Sequence, residues 1–435
     1  MQYIHHYTDK DSFINDYCGE KYSEPWVSLT EELSKVNYNI TDKERYLLYL
    51  GTYLTFNVTS SGTIYWKSNN TNFSRTIEYR KNGGEWTEIT NGSSTPSIDV
   101  VSGDTVQFRG NNDTYGSSTT IFNTFSGTTC QFNVCGNIMS LVSSSNFDTI
   151  DTLSSAYTFY HLFANCKKIN SAEDLVLPAN NLTEYCYGGL FSKSSGLTTS
   201  PKILPAMNLA SNCYYEMFYS CTALTTTPQL PAETMVDRCY FCMFQKCTNL
   251  VTPPELPSTT LATGCYWRMF SECSKLATAP ELPATVMFTS CYTNMFLKCG
   301  SLTAAPNLPA TTLADSCYET MFSGCSSLTQ VQQELPATTL YYRCYFGMFR
   351  GTKITTAPDL PATSLANNCY YEMFYDCTNL NHIKCLAKDN FSATNCVTRW
   401  MTNVSASGTF IKNPNATSWA SGANGIPSGW SVQDA

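Results

Sequence analysis

One unit of roughly 26 residues recurs from about residue 155 to about residue 405, and this repeat restricts the fold more than any other feature of the chain. Its consensus is C-Y-x-x-M-F-x-x-C-x-x-L-x-x-x-P-x-L-P-A-x-x-L, as in the stretch that begins at Cys213. A unit this short cannot bury its apolar face alone, so successive units must stack on one another. The repeat therefore predicts a solenoid of about ten cassettes within residues 149–404.

Each cassette combines two local patterns. Counted from the first cysteine as position 0, apolar residues recur at positions 0, 1, 4, 5 and 8, which is the spacing of a short helix. Positions 11, 13 and 17 then alternate, as in Leu276, Thr278 and Leu282, and indicate a short extended segment. Leu-Pro-Ala ends that segment, because proline has no N–H to donate to a continuing ladder. The expected fold class is thus an α/β solenoid in which every coil is a helix followed by a strand.

Most of the 21 cysteines fall at two positions of the cassette, 0 and 8. The position 0 series is Cys186, Cys213, Cys239, Cys265, Cys291, Cys317, Cys344, Cys369 and Cys396, and the position 8 series is Cys221, Cys247, Cys273, Cys299, Cys325 and Cys377. Equivalent side chains on stacked strands point in parallel about 4.8 Å apart, whereas a disulfide needs Cβ atoms about 3.8 Å apart that face each other. These ladders are therefore predicted to pack as small apolar residues of the core.

Three further segments surround the array. Residues 1–48 form a polar and aromatic leader, which we interpret as an attachment segment. Residues 49–148 contain short alternating runs such as YLTFNV, TIEYR, TVQFR and CQFNV, and Asn82-Gly83 supplies the positive φ that a type I′ hairpin turn requires. These runs predict a small antiparallel β-sandwich ahead of the solenoid. Residues 405–435 are rich in glycine, serine and tryptophan and are expected to cap the last coil.

Composition argues against several classes of function. A formal net charge of −8 without a cluster of lysine and arginine predicts no nucleic-acid partner. No segment approaches the roughly 18 apolar residues that span a bilayer, and the N-terminus lacks the pattern of an export signal, so we expect no membrane insertion. The histidines and glycines fit no catalytic, metal or phosphate motif, and Cys242 completes a lone C-x-x-C without a second pair. The sequence therefore predicts no catalytic residues, no metal and no cofactor.

Two rows of side chains are candidates for binding. Position 2 should point outward, and it carries an aromatic residue in five cassettes: Tyr215, Phe241, Trp267, Phe346 and Tyr371. Such a row suits a carbohydrate or a protein partner, although the same rings could simply pack across neighbouring coils as surface cover. The second row is a largely acidic column on the extended segment, which fits a cation or a basic partner, or else a solvated strand face. Its members are Gln229, Glu255, Glu281, Asn307, Glu334 and Asp359.

The cassettes resemble the BspA-type leucine-rich repeats of gut bacterial surface proteins and their phages, whose units read F-x-x-C-x-x-L followed by a short strand and L-P. The leader with EPWVSLTEELSKVNYN, the motifs IEYRKNGGEW and QFRGNN, and the closing GIPSGW resemble virion appendage proteins of crAss-like and related Bacteroides bacteriophages. The resemblance to BspA-type repeats covers more than half of the chain. The cassette is longer than the commonest BspA unit, and the expected signal peptide and anchor of a bacterial adhesin are missing from the sequence.

The resemblance implies a non-enzymatic virion structural protein, a head or tail appendage that attaches by its N-terminal part and displays the solenoid. Its expected partners are other virion proteins and a bacterial surface glycan or protein, and fibre-like appendages suggest a homotrimer by analogy. The alternative is a bacterial cell-surface or secreted adhesin of the same repeat family. A glycan depolymerase is a third reading, but no paired acids occur in a cleft-forming arrangement.

Overall fold

The structure is a computed structural model that describes residues 40–389, 393–416 and 419–435. Within these ranges lie one α-helix, α1 (Ile40–Leu50), and two short 3-10 helices, Ile138–Leu141 and Phe147–Thr149. The strands are β1 (Leu54–Val58), β2 (Gly62–Tyr65), β3 (Lys67–Ser68), β4 (Thr76–Lys81), β5 (Thr87–Thr90), β6 (Ser97–Val100), β7 (Thr105–Gly110), β8 (Gly116–Ser118), β9 (Ile121–Thr124), β10 (Phe132–Asn137), β11 (Ile169–Val176), β12 (His382–Cys385), β13 (Gly408–Lys412) and β14 (Trp430–Asp434).

The strands predicted between residues 49 and 148 are present and form three sheets. The largest has the order β11-β10-β1-β7-β4-β5, beside the pair β2-β6 and the three strands β3-β9-β8. Phe56 of β1 stacks on Phe132 of β10 at 4.3 Å and packs against Phe108 of β7 at 4.7 Å. Ile64 of β2 and Trp66, which lies between β2 and β3, are buried in the same core. Alternation along each strand thus directs one set of side chains into a shared apolar interior.

The turn predicted from Asn82 and Gly83 joins β4 to β5. Both residues have positive φ, 52° and 73°, and the N–H of Gly84 donates to the carbonyl of Lys81 at 3.0 Å. These are the features of a type I′ turn, whose twist matches that of the flanking strands. The hairpin chemistry read from the sequence is confirmed.

The six-stranded sheet crosses the division expected at residues 148 and 149. Strand β11 belongs to the first cassettes, yet it pairs in parallel with β10 along Cys135↔Asp174 and Gly136↔Leu175. Helix α1 packs on β11 through Tyr46, Leu50, Val176 and Ile203. The leader interpreted as an attachment segment lies outside the described residues up to residue 39.

Positions 0 to 8 of each cassette form a ribbon of consecutive turns and not the helix that their spacing predicts. In the Cys213 cassette, Tyr215 and Met217 donate their N–H groups to carbonyls three residues earlier. The alternate N–H groups, those of Tyr214 and Glu216, donate to carbonyls of the next cassette at 3.0 and 2.9 Å. The helix prediction is wrong because a helix satisfies its donors internally, whereas here every second donor joins one cassette to the next.

A left-handed residue occurs every four positions along this ribbon, at positions −1, 3 and 7. In the Cys213 cassette these residues are Asn212, Glu216 and Ser220, with φ of 57°, 52° and 56°. Each reversal returns the chain so that positions 0 and 1, 4 and 5, and then 8 face the same side. The true period is therefore four residues, and over nine residues it places apolar positions just as a period of 3.6 does.

The rest of each cassette is extended, and it contacts its neighbours in single parallel bridges such as Ile203↔Gln229 and Ala304↔Gln330. The predicted strand is thus present in most cassettes only as short bridging pieces. The chain ends in a parallel sheet, β12-β13-β14. There Trp400 is fully buried and donates Nε1 to the carbonyl of Gly425 at 2.9 Å, so residues after the array cover its last coil.

Candidate functional site

The ribbon has an inward side and an outward side, and only the outward side varies. The inward positions 0, 1, 4 and 5 read Cys, Tyr, Met and Phe in all seven cassettes from Cys213 to Cys369. The outward side chains at positions −1, 2, 3, 6 and 7 differ from one cassette to the next, and we call this surface the turn face. A surface that varies on an unvarying framework can specify a ligand without altering the fold.

The inward side is built from stacked identical rings. Tyr240 lies 5.8 Å from Tyr266 with an interplanar angle of 7°, and Phe244 lies 5.7 Å from Phe270 with an angle of 3°. The position 0 and position 8 cysteines are buried as predicted, and the twenty cysteines of the described residues are free thiols. Burial raises the pKa of Cys265 and of Cys273 to about 12. The thiols are therefore protonated at neutral pH and unsuited to nucleophilic chemistry.

The position 8 cysteines also make hydrogen bonds that their spacing did not predict. The Cys273 thiol donates to the carbonyl of Phe244 in the preceding cassette at 3.0 Å, and Cys325 does the same with Phe296 at 3.0 Å. Ser194 occupies position 8 of the Cys186 cassette and donates to the carbonyl of Phe163 at 2.7 Å. The position thus selects a small donor, and cysteine satisfies this requirement while it remains apolar enough for the core.

The predicted aromatic row is divided into two groups on the turn face. Tyr215, Phe241 and Trp267 come from consecutive cassettes and are half-buried. Tyr215 stacks on Phe241 at 5.0 Å and 5°, so these two rings cover each other's faces. Trp267 meets Phe241 edge-on at 5.3 Å and 68°, and its ring is turned out of the stack.

The second group is a pair, and the row is interrupted between the groups. Position 2 carries the buried Thr293 and then Glu319 before aromatic residues return. Phe346 and Tyr371 then stack at 4.7 Å and 4°. The Arg343 guanidinium lies 3.7 Å above Phe346 and bonds to both carboxylate oxygens of Glu319. The structure therefore divides the five predicted residues into a group of three and a separate pair.

One cluster on the turn face was not among the predicted binding residues. Arg350, Glu372 and Arg399 come from three consecutive cassettes, and Glu372 lies between the two arginines. The guanidinium NH1 atoms lie 2.8 and 3.0 Å from the two carboxylate oxygens, and both guanidinium groups lie 4.7 Å from the centre of the Tyr375 ring. The sequence signal for this cluster is opposite charge at positions 3 and 6 of neighbouring cassettes, whereas the predicted aromatic row lies at position 2.

The acidic column of the extended segment is largely solvent-exposed. Glu255 and Glu281 are exposed, whereas Asp359 pairs with Lys384 at 2.9 Å. No group of three or more His, Cys, Asp or Glu side chains in the described ranges is arranged to hold a metal ion. The column therefore offers isolated carboxylates and one surface ion pair.

His161 packs at the start of the turn face, at position 3 of the first, degenerate cassette. It stacks on Tyr160 at 4.2 Å, and burial lowers its pKa to about 4, with Lys193 contributing. A Cβ at Gly189 would overlap the imidazole, so the glycine in the next cassette makes room for the ring. This imidazole is therefore neutral at neutral pH and acts as packing.

On its own geometry, the described part of the chain is a repeat structure, rich in short strands and poor in helices, whose cassettes are joined by backbone hydrogen bonds. Its structure is similar to the crystal structure of a leucine-rich repeat protein from Bacteroides ovatus ATCC 8483, with 17% identity, a TM-score of 0.37, and coverage of 67% of this chain and 77% of that one. No protein-family model and no curated protein matches the chain. Across the described residues, no helix combines the length and the apolar character needed to cross a membrane.

Proposed function

We propose that this chain is a non-enzymatic recognition protein of leucine-rich-repeat type, and that its turn face binds a glycan or protein at a bacterial surface. The observation that carries the proposal is the contrast between a framework repeated without change in seven cassettes and an outward row that places Tyr215, Phe241 and Trp267 side by side. Rigid aromatic side chains supply large contact area at little cost in conformational entropy. Buried, protonated thiols and a neutral, packed His161 offer no nucleophile or general base.

Trp267 is the residue on which this proposal is tested most directly. Because its ring is turned 68° from Phe241, it does not share the face-to-face packing of the Tyr215 and Phe241 pair. Binding of the labelled full chain to a glycan array and to whole bacterial cells is compared for the parent, Trp267→Ala, Phe241→Ala and the control Phe288→Ala. Phe288 is 42% exposed and lies off the row.

We expect Trp267→Ala to lower binding about tenfold or more, since aromatic anchors account for most of the binding energy in a typical interface. Phe288→Ala should leave binding unchanged. Equal binding by the parent, Trp267→Ala and Phe241→Ala would contradict a role for the aromatic row in ligand binding.

We further propose that the protein is a bacteriophage virion appendage, attached through its N-terminal part to other virion proteins and displayed as a homotrimer. The support is the resemblance of the leader, the β-strand region and the closing GIPSGW to such proteins. A bacterial cell-surface adhesin of the same repeat family is the alternative. Mass spectrometry of purified phage particles and of host surface fractions separates the two, since detection only in host surface fractions would contradict the virion assignment. Native mass spectrometry tests the trimer.

A further inference from the structure

We propose that Arg350 and Arg399 form a subsite for the carboxylate of an acidic sugar at the C-terminal end of the turn face. This inference rests on the proposed function of the turn face as a recognition surface. It adds the chemical class of one ligand group and two arginines that the aromatic row does not include.

The charges of the cluster do not cancel. Two guanidinium groups share the single carboxylate of Glu372, which leaves a net charge of +1. The Glu372 side chain is only 8% exposed, whereas the side chains of Arg350 and Arg399 are 46% and 47% exposed. The buried acid thus holds both arginines in place, while nearly half of each arginine side chain is exposed. Each guanidinium has five donors in a planar fork that matches a carboxylate, and NH1 is the atom given closest to Glu372.

The Tyr375 ring organises the same cluster. Arg350 belongs to the cassette before it and Arg399 to the cassette after it, and both guanidinium groups lie over the ring at 4.7 Å. Ring contact and the shared acid together limit the arrangements open to each arginine before any ligand arrives. Binding then loses less side-chain entropy than it would with two mobile arginines.

The surroundings favour a sugar acid over an acidic peptide. Phe346 and Tyr371 occupy position 2 of the cassettes that carry Arg350 and Tyr375, so a half-buried aromatic pair lies along the same face. A hexuronic acid combines a carboxylate with the C–H surface of a pyranose ring, and it can engage guanidinium groups and aromatic rings together.

Arg343 provides a matched control within the same face. It also lies over an aromatic ring, but it bonds to both oxygens of Glu319, and this pair has no net charge. Its charge is already balanced by a bidentate carboxylate, so it should contribute little to binding an anion.

The test is isothermal titration of the full chain with polygalacturonate, with neutral dextran as the comparison polymer. We expect the parent to bind polygalacturonate and not dextran at this subsite. The double variant Arg350→Gln, Arg399→Gln should bind polygalacturonate about tenfold more weakly or worse, because two charge-assisted contacts are lost. Arg343→Gln should bind within about twofold of the parent. Circular dichroism confirms that each variant is folded.

Glu372→Gln distinguishes an anion site from a purely structural cluster. It keeps the shape of the side chain and raises the net charge from +1 to +2, so association with polygalacturonate should become faster at low salt, measured by surface plasmon resonance. An unchanged or slower association rate in Glu372→Gln, or equal binding by the parent and the double arginine variant, overturns the proposal. Binding of poly-glutamate in preference to polygalacturonate overturns the sugar assignment. If Trp267→Ala still abolishes cell binding while polygalacturonate does not bind, this inference fails and the proposed function stands.

Discussion

The inward side of the ribbon repeats Cys, Tyr, Met and Phe in seven consecutive cassettes, while the turn face changes in every cassette. The inward rings stack on copies of themselves at 5.4–5.8 Å from Tyr214 to Tyr345 and from Phe218 to Phe349. Each inward position is therefore adapted to its own neighbours along the axis, and a change there affects at least three cassettes. An outward side chain has no such requirement, because the backbone bonds that join cassettes do not depend on it.

The largest expected effect is the removal of an inward ring from the middle of the array. Phe270→Ala deletes a fully buried ring that stacks on Phe244 and Phe296, both at 5.7 Å. We expect a loss of about 3–5 kcal/mol in the free energy of unfolding, measured by urea denaturation. Hydrogen exchange should show that protection falls mainly in the adjacent cassettes.

The exposed Phe288→Ala is the matched control, and it should change the free energy of unfolding by less than about 0.5 kcal/mol. Similar losses for the two substitutions would show that the inward and outward sides are not energetically distinct.

The two cysteine ladders provide a smaller contrast within the inward side. Cys291 at position 0 contacts the Met287 Sδ at 3.7 Å, whereas Cys273 at position 8 donates to a backbone carbonyl at 3.0 Å. Cys291→Ser should cost about 1–3 kcal/mol, because it buries a hydroxyl against a weak acceptor. Cys273→Ser should cost less than about 1 kcal/mol, because the hydroxyl can make the bond that Ser194 makes. Thermal and urea unfolding of both variants measure this difference, and equal losses would indicate that both ladders are purely apolar.

The ribbon itself is tested at a left-handed position of the turn face. Lys298 is exposed and has a φ of 59°. Lys298→Val should cost about 1–2 kcal/mol, because a β-branched side chain is strained in this conformation. Lys298→Gly should be the more stable of the two variants, since glycine adopts positive φ without steric cost. In a helix the valine variant would be more stable than the glycine variant. The difference between their free energies of unfolding in urea therefore has opposite signs for a ribbon of turns and for a helix.

The left-handed positions also explain why the sequence predicted only part of the fold. The repeat, the buried rings and the β-strands between residues 54 and 137 follow from apolar spacing and turn residues, and the structure contains them. The helix does not follow, because apolar positions 0, 1, 4, 5 and 8 suit a period of 3.6 and a period of four equally well. The deciding signal lies at positions −1, 3 and 7, where Asn212, Gly264, Asn294, Gly324 and Gly347 mark a backbone that favours positive φ.

The candidate site was predictable only in part, for a related reason. A row at position 2 follows from the repeat, and so do its residues. The angles between neighbouring rings do not follow from the repeat, because Tyr215 and Phe241 stack at 5° while Trp267 lies at 68° to Phe241. The Arg350, Glu372 and Arg399 cluster depends on contacts across three cassettes and between two different positions of the repeat, so no single column of the sequence contains it.

The smallest effect is expected where the extended segment presents its acidic column. Glu255 and Glu281 are exposed, whereas Asp359 of the same column pairs with Lys384. The double variant Glu255→Lys, Glu281→Lys should change the free energy of unfolding by less than about 0.5 kcal/mol, because exposed charges interact weakly through water. Millimolar calcium should leave the thermal midpoint of the parent unchanged, as a carboxylate column without converging ligands cannot replace the ion's hydration shell. A midpoint that rises with calcium in the parent and not in the variant would instead make the column a cation site, and the turn face would then be one of two functional surfaces.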